Sequence, residues 1–495
     1  MRIFIKLIPF TLFIIFLALL AILVTTGCSN SKRLEDVDIL NGTFWKDQAL
    51  QAIIPYWTQN AIDNDDGAFI TNLDRSWNQV DGTEKYPSMI SRHVFSYSVA
   101  FLLTGEERYL KIASRAVDFL LENAWDKNYG GWFDVLDKKG NPLETTKSSF
   151  VQFYTNTGLA MYYFVTHDPE VLQYIEKSNE IIESKRWDNT WGGYFNLLNQ
   201  DLTVKSSDKS FSSEVVPVSS YLLYLYLATK EEKYLDQAEK IMNVALAKML
   251  DPESKWILES FDKEWHYQTR EADESEINIG HNIEVVWMFY RLFFLTGKKD
   301  YLDSTKIITK KIIKWGFEKE KGVWYSTVGR LEPSLHREFT YWWIQAYGNM
   351  FDLYLYRITN DKKYLEDFKK GARFWNEYFL DKEFGGTFLS IYLGGKMKDG
   401  KKAGRYKTSY HTVEHSLLNY LYLDLWVNNK PVELYFYILS PRKSAKLYPV
   451  PIEDNTIKLK EVIINGKNWS DFNKAKAYIN LPELQKIKMK VVLSR

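Results

Sequence analysis

The sequence has a single cysteine, Cys28, in 495 residues, and almost no excess of charge, with 64 lysines and arginines against 63 aspartates and glutamates. One cysteine excludes a disulfide within the chain, so stability outside the cytoplasm has to come from a large core. The balanced charge excludes an electrostatic footprint for nucleic acid. Long apolar runs are scarce as well, and the most prominent, Leu7 to Val24, lies at the extreme N-terminus. Aromatic residues are what the chain has in quantity: they make up 16% of it and include 17 tryptophans. That is enough apolar surface for one large domain with a small one beside it.

Arg2 and Lys6 flank the start of the apolar run, and Thr25-Thr26-Gly27-Cys28 close it, followed by polar Ser29 to Arg33. Charge, apolar core and small residues in that order make an export signal, not a part of the fold. An uncleaved anchor or a simply secreted protein are the competing readings, since about 18 mostly apolar residues approach spanning length. The stretch resembles a bacterial lipoprotein signal, with Thr25 standing where an aliphatic residue is usual. The resemblance implies a signal peptide over 1–27, a lipidated Cys28 as the mature N-terminus, and a cell-envelope protein anchored to the membrane through that lipid. Losing Arg2 and Lys6 turns a formal charge of +1 into −1.

A tyrosine motif at helix starts recurs at Tyr109, Tyr174, Tyr234, Tyr301 and Tyr364, at intervals of 65, 60, 67 and 63 residues. A second motif follows most of these helices: YGGWF at Gly130-Gly131, WGGYF at Gly192-Gly193, KGVWY at Gly322 and FGGTF at Gly385-Gly386. Glycine pairs beside aromatic residues predict a turn or short hairpin after each helix, and the period predicts a repeat architecture. Each unit pairs an all-round apolar helix, such as "IEVVWMFYRLFFLTG", with an amphipathic one, such as "KKDYLDSTKIITKKIIKW". Buried helices alternating with half-exposed ones imply two concentric layers. Twelve such helices between residues 44 and 428 predict an all-α (α/α)6 barrel, a toroid of six hairpins, with an open α-solenoid as the alternative. Residues 28–43 are then a linker. From 429 to 495 the pattern alternates with period two around Asn465-Gly466, which predicts a small β-sheet domain packed as a lid on the barrel.

Polar or ring-bearing residues recur on the inner helices at Arg92, Gln152, Ser212, His281, Trp343 and His411, so they are expected at one level around a common cavity. A buried arginine and two histidines there are costly without a ligand. In "IGHNIEVVW", Glu284 stands three residues after His281, in reach to orient or charge the imidazole, with Trp287 beyond. Trp342 and Trp343 in "TYWWIQAY" offer indole faces suited to a pyranose, and core packing is their plainer role. "TSYHTVEH" at 408–415 has two readings. As HxxEH it matches an inverted zinc-protease pattern, with His411 and His415 as ligands and Glu414 as base. As "YH" opening an inner helix it gives one cavity-facing base, His411, beside Tyr410, with Glu414 and His415 as packing or supporting residues.

These segments together, "IPYW", "SRHVFSYS", "KSSFVQFY", "GHNIEVVW", "WWIQA" and "YH", resemble the N-acylglucosamine 2-epimerase and cellobiose 2-epimerase family over roughly residues 44 to 428. The resemblance implies a cofactor-free sugar epimerase or isomerase, monomeric or homodimeric, in which Arg92 steadies an enediolate. It also implies that His281 and His411 are acid and base on opposite faces of C2, with Glu284 supporting its histidine and Gln152, Ser212, Trp287, Trp342, Trp343, Tyr347 and Tyr410 around the sugar. No metal is implied. The departures are specific. Tyr347 replaces a glutamate after WWxQA, and "FSSEVVPVSS" replaces an Asn- and His-rich helix, with Ser212, Glu214, Val216 and Val218 at family polar positions. Around the last histidine the usual proline and arginine give way to Ser409 and Glu414-His415.

Three functions remain open on sequence alone. The first is an epimerase or isomerase acting at C2 of a reducing sugar or oligosaccharide. The second is a polysaccharide lyase using Tyr347, His281 and Arg92, or a hydrolase pairing Glu284 with Glu338 or Glu214. The third is a surface glycan-binding lipoprotein without turnover.

Overall fold

The computed structural model describes residues 38–80, 82–268, 276–439, 445–484 and 486–495. The expected signal at 1–27, Cys28 and most of the linker lie outside the described residues. The helices in chain order are α1 (Gly42–Asp47), α2 (Ile54–Asn60), α3 (Pro87–Thr104), α4 (Glu107–Phe119), α5 (Ser149–Thr166), α6 (Pro169–Ile181) and α7 (Phe211–Glu214). They continue as α8 (Leu223–Thr229), α9 (Glu232–Met249), α10 (Ile279–Thr296), α11 (Asp300–Trp315), α12 (Trp342–Thr359), α13 (Lys363–Phe374) and α14 (Tyr410–Tyr422). A π-helical stretch, Gln48–Ile53, joins α1 to α2, and another, Val218–Leu222, leads into α8, so the described residues form the twelve expected rods.

Apolar patterning sorts these rods into layers. Helix α3 is buried from Pro87 to Leu103, whereas α4 buries one face only. The inner ring runs α3, α5, α7–α8, α10, α12 and α14, and α14 packs against both α12 and α3. That last contact closes the ring and decides against an open solenoid, in which α3 and α14 would each lack a neighbour. The third inner rod is the irregular one. Pro217 has no N–H to donate, and the helix breaks there into α7 and the stretch leading to α8.

The glycine motifs form tight turns at one rim, with positive φ at Gly130, Gly131, Gly192, Gly193, Gly322, Gly385 and Gly386. Each of several turns is organised by an aspartate. Asp126, Asp188, Asp251 and Asp381 accept backbone N–H groups two and three residues ahead. Asp63 does the same in the first unit. Each carboxylate then takes a cation: Lys85 with Asp63 at 2.7 Å, Lys147 with Asp126 at 3.1 Å, Lys209 with Asp188 at 2.9 Å, Arg330 with Asp251 at 2.8 Å and Lys402 with Asp381 at 2.8 Å.

After α14 the chain forms β1 (Val432–Leu439), β2 (Lys446–Leu447), β3 (Lys458–Ile464), β4 (Lys467–Asn468), β5 (Phe472–Asn473), β6 (Tyr478–Asn480) and β7 (Lys486–Ser494). One antiparallel sheet has the order β1-β7-β3-β4 and a smaller one the order β2-β6-β5. Asn465 and Gly466 both have positive φ, the requirement for the two-residue turn that joins β3 to β4. Strand β1 packs on α3 and α5, with Phe436 against Phe164 at 5.7 Å, and residues 39–495 form a single compact unit. Among the described residues no helix is long and apolar enough to cross a membrane.

The rim pairs should be measurable in stability. Asp188→Asn keeps an acceptor for the turn but strands the Lys209 ammonium, whose side chain is 0% exposed. Urea unfolding is expected to show a loss of about 3–5 kcal/mol, and adding Lys209→Met should recover most of it. A single variant as stable as wild type would mean that the pair carries no weight.

Candidate active site

Helix α10 begins at a cap: Asn278 Oδ1 accepts the backbone N–H of His281 at 3.1 Å and fixes the first turn. His281 therefore projects from the rim end of the barrel. Its ring lies flat on Phe211, with centroids 3.9 Å apart and planes 14° off parallel, and against Trp343 at 5.1 Å. Gly280 makes room for that indole, because a Cβ there would lie 2.4 Å from it. Imidazole Nδ1 donates to Glu259 Oε1 at 2.7 Å, which leaves Nε2 to take or give a proton. Burial pushes the imidazole down, but the Glu259 carboxylate, with Glu284 behind it, outweighs burial and holds His281 above its ordinary range.

The orienting carboxylate is thus Glu259, where the sequence pointed to Glu284. Glu284 sits one turn deeper, buried, with Oε1 unpartnered, and burial raises its own pKa. It is the sixth residue of α10. The sixth residues of α3, α5 and α12 are Arg92, Tyr154 and Tyr347, so four inner helices place polar groups at one depth. The Arg92 guanidinium lies 3.6 Å over the Tyr154 ring and donates from Nη1 to Tyr406 O at 3.2 Å, and its Nε has no partner. Gly158 allows this contact: a Cβ there would lie 1.8 Å from Ser91 O, so only glycine lets α5 approach α3 so closely.

His411 is the second residue of α14 and is buried among Trp342 at 5.8 Å, Trp343 at 6.1 Å, Tyr347 at 5.3 Å and Tyr410 at 4.7 Å. Its Nδ1 has no hydrogen-bond partner and lies 4.0 Å from Glu414 Oε2. Burial, then the positive charges of Arg92 and His281, hold this imidazole well below the usual histidine range. Trp343 touches both imidazoles.

A cavity of about 420 Å³ opens at this level, lined by Ser212, Glu259, His281, Arg337 and Trp343 among others. His281, Trp343 and Ser212 line it as expected, but Arg92 and His411 do not. Arg92 is covered by the Tyr406 backbone and His411 by the aromatic cluster around Trp343. Trp342, Trp287, Tyr347 and Tyr410 likewise pack beneath the cavity and are not exposed in it. Gln152 is a correction of another kind. Its amide accepts from Trp132 N at 2.8 Å and donates to Trp132 O, clamping the glycine turn instead of facing a sugar. Glu214, Asn282 and Gln345 accept from Tyr194, Ile257 and Trp324 N in the same way, so this polar repeat is structural.

Two sequence alternatives lose their geometry. His415 lies between Trp45 and Trp375, with Nε2 3.4 Å from the Asn349 amide, so it and His411 occupy different surroundings and share no ligand position. Glu214, committed to its turn, Glu284 and Glu338, which is 78% exposed, are all absent from the cavity lining. Glu259, Phe211 and Tyr154 were not found by sequence reasoning. Glu259 lies on an irregular rim segment whose local pattern carries no sign of its partner.

A family model described as N-acylglucosamine 2-epimerase (GlcNAc 2-epimerase) matches residues 67–414. A cellobiose 2-epimerase of Bacteroides fragilis is 25% identical over 376 residues, covering 72% of this chain and 93% of that protein. A D-mannose isomerase of Marinomonas mediterranea is 23% identical over 344 residues, covering 65% and 83%. The solved structure of cellobiose 2-epimerase from Bacillus thermoamylovorans superimposes with a TM-score of 0.70 at 21% identity, covering 77% of this chain and 98% of that one.

The Glu259 contact has a direct readout. In Glu259→Gln the His281 protonation midpoint, followed by NMR of the ring, is expected to fall by about 1–3 pH units because burial is no longer opposed. An unmoved midpoint would show that another group charges His281.

Proposed function

The chain belongs to the N-acylglucosamine 2-epimerase family, and on that premise we propose that it is an enzyme that epimerises or isomerises a reducing sugar or oligosaccharide at C2. The observation that carries the mechanism is the opposite electrostatic treatment of two imidazoles joined by one indole. Groups whose surroundings push their pKa values apart are suited to acid and base roles. His411, held neutral, is the base. The step requires the aromatic cluster around Trp343 to part so that a ring-opened aldose reaches His411; its Nε2 then takes the proton from C2, and the C2–H electron pair passes into the C1–C2 enediolate. His281, whose pKa is raised by Glu259, is the acid. Its proton is delivered to the other face of C2 to give the epimer, or to C1, with the O2–H proton passing to O1, to give the ketose, and the roles exchange in the reverse direction. Arg92, with its unpartnered Nε, is the cation suited to the enediolate oxygens. The relatives named as cellobiose 2-epimerase and D-mannose isomerase support both outcomes.

We further propose that the protein works in the cell envelope, anchored by a lipid on Cys28. The basic start, the apolar run and the position of the sole cysteine support this.

Two experiments test these proposals. Incubation with reducing mono- and disaccharides in D2O should place deuterium at C2 of the true substrate. His411→Asn should slow that exchange by about 100- to 10,000-fold while sugar binding persists. Exchange that survives in both His281→Asn and His411→Asn would rule the two-histidine mechanism out. For the anchor, Cys28→Ala should leave the signal uncleaved or release the protein from the membrane fraction. Identical processing and fractionation of the two proteins would refute lipidation.

A further inference from the structure

Glu414 has no assigned role, yet it is the most elaborately held acid beneath the site. It is 0% exposed. Its Oε1 accepts from Tyr410 at 3.0 Å and Tyr224 at 3.2 Å, and its Oε2 accepts from Tyr347 at 3.5 Å. Three phenols from three inner rods converge on one carboxyl, and the side of Oε2 left over faces the orphaned Nδ1 of His411 at 4.0 Å. Packing alone does not call for this, because an apolar side chain fills such a space without three donors.

The charges around it give the arrangement a purpose. His411 feels two cations, Arg92 on α3 and His281 on α10, and both oppose its protonation. Glu414 is the carboxyl in contact with that ring. On its far side lies Arg291, 5.4 Å over the Tyr224 ring and already neutralised by Glu453 at 2.8 Å. Glu284 on α10 adds a like charge.

We propose that Glu414 is the positioning residue for His411: its carboxylate receives the Nδ1–H of the imidazolium formed when Nε2 takes the C2 proton. The bond broken is C2–H and the bond formed is Nε2–H, and Glu414 supplies the countercharge. The 4.0 Å contact has to shorten by about 1 Å to become a hydrogen bond, as catalytic contacts do when substrate binds. Burial, offset in part by the tyrosine hydrogen bonds, pushes the carboxyl up to about 7, so it ionises near neutral pH. Below that range Glu414 is protonated, the imidazolium loses its counter-ion, and the base is disabled; above it the base is supported.

The inference rests on the two-histidine reading, and its test separates the two. In wild type, the rate of C2 exchange should fall on the acid side of about pH 7. Glu414→Gln should lower exchange by about 10- to 100-fold, abolish that acid limb and leave KM unchanged, and Glu414→Asp should restore part of the rate. Wild-type exchange and an unchanged acid limb in the Gln variant would overturn the proposal. Should the Gln variant fail to fold, Tyr347→Phe removes one donor from the ionised carboxyl and should move the acid limb to higher pH; an unmoved limb is equally decisive. Without any sugar, the ring 15N shifts of His411 should inflect as Glu414 ionises, and the inflection should vanish in Glu414→Gln. Its absence in wild type refutes the coupling, whereas absence of exchange with an intact inflection refutes the C2 reading and leaves the Glu414 contact standing.

Discussion

A carboxylate buried at a turn and answered by a buried cation is the contact on which this barrel's rim depends. Asp63, Asp126, Asp188, Asp251 and Asp381 stand 63, 62, 63 and 130 residues apart, with Glu318 in the missing place. Asp63, Asp126 and Asp188 each spend Oδ1 on their own turn and hold a lysine from a later segment with Oδ2, while Asp251 and Asp381 combine the turn with Arg330 and with Lys402 and Arg75. Breaking one side of such a pair leaves an uncompensated charge in low dielectric, so the turn and the segment have to be placed together. In three units the cation is a lysine two residues before the inner helix begins: Lys85, Lys147 and Lys209. At the same place before α10 and α12 stand Ile277 and Thr340, and the cavity opens beside that stretch, with Ile277 in its lining. The site occupies the part of the rim where the lysine latch is missing.

At and beneath that opening, electrostatics do the sorting that sequence identity cannot. Two histidines of the same chemistry sit against the same indole. One meets a carboxylate at 2.7 Å; the other meets aromatic edges and the field of two cations. Burial lowers both, and the Glu259 contact at His281 against the cation field at His411 separates their protonation preferences. The aromatic wall contributes by excluding water, which strengthens every one of these terms. Glycines at 158 and 280 do the placing, each permitting a contact that a methyl group would block.

The barrel was legible in sequence because its signals are local: helical periodicity, glycine turns and a repeat of about 63 residues. The Asn465-Gly466 hairpin was legible for the same reason. His281, Trp343 and Ser212 were placed correctly by repeat phase, but the phase was looser than it looked. Arg92 is the sixth residue of its helix, His281 the third and Trp343 the second, so equal spacing along the chain did not give equal depth. Gln152 was misread because a polar residue at the mouth of an inner helix has two uses, and the turn backbone claimed it. Glu259 was invisible because its partner is chosen by the fold and not by spacing along one helix. Glu414 was visible but undervalued, since its three tyrosines come from separate inner rods.

The C-terminal strands show how far the site's charge balance reaches. The family match ends at Glu414, and Glu453, between β2 and β3, comes from beyond it. That carboxylate accepts from Arg291 Nε at 2.8 Å and from Tyr354 OH at 3.2 Å, deep in the barrel. Arg291 shares α10 with His281 and Glu284, and its guanidinium lies over Trp287 and Tyr224 at 5.3 and 5.4 Å. A buried guanidinium without a counter-ion is strongly unfavourable, so α10 can keep Arg291 in that place only with Glu453 present. The neighbouring Asp454 accepts from Trp426 Nε1 at 3.0 Å and pairs with Arg357, tying the same segment to the helices. A lid held by apolar contacts alone could be lost with little effect on the site. A sheet that supplies the counter-ion for the helix bearing His281 is part of the same packed body as the candidate site, and its charge is felt at Tyr224 and, through that phenol, at the carboxyl under His411.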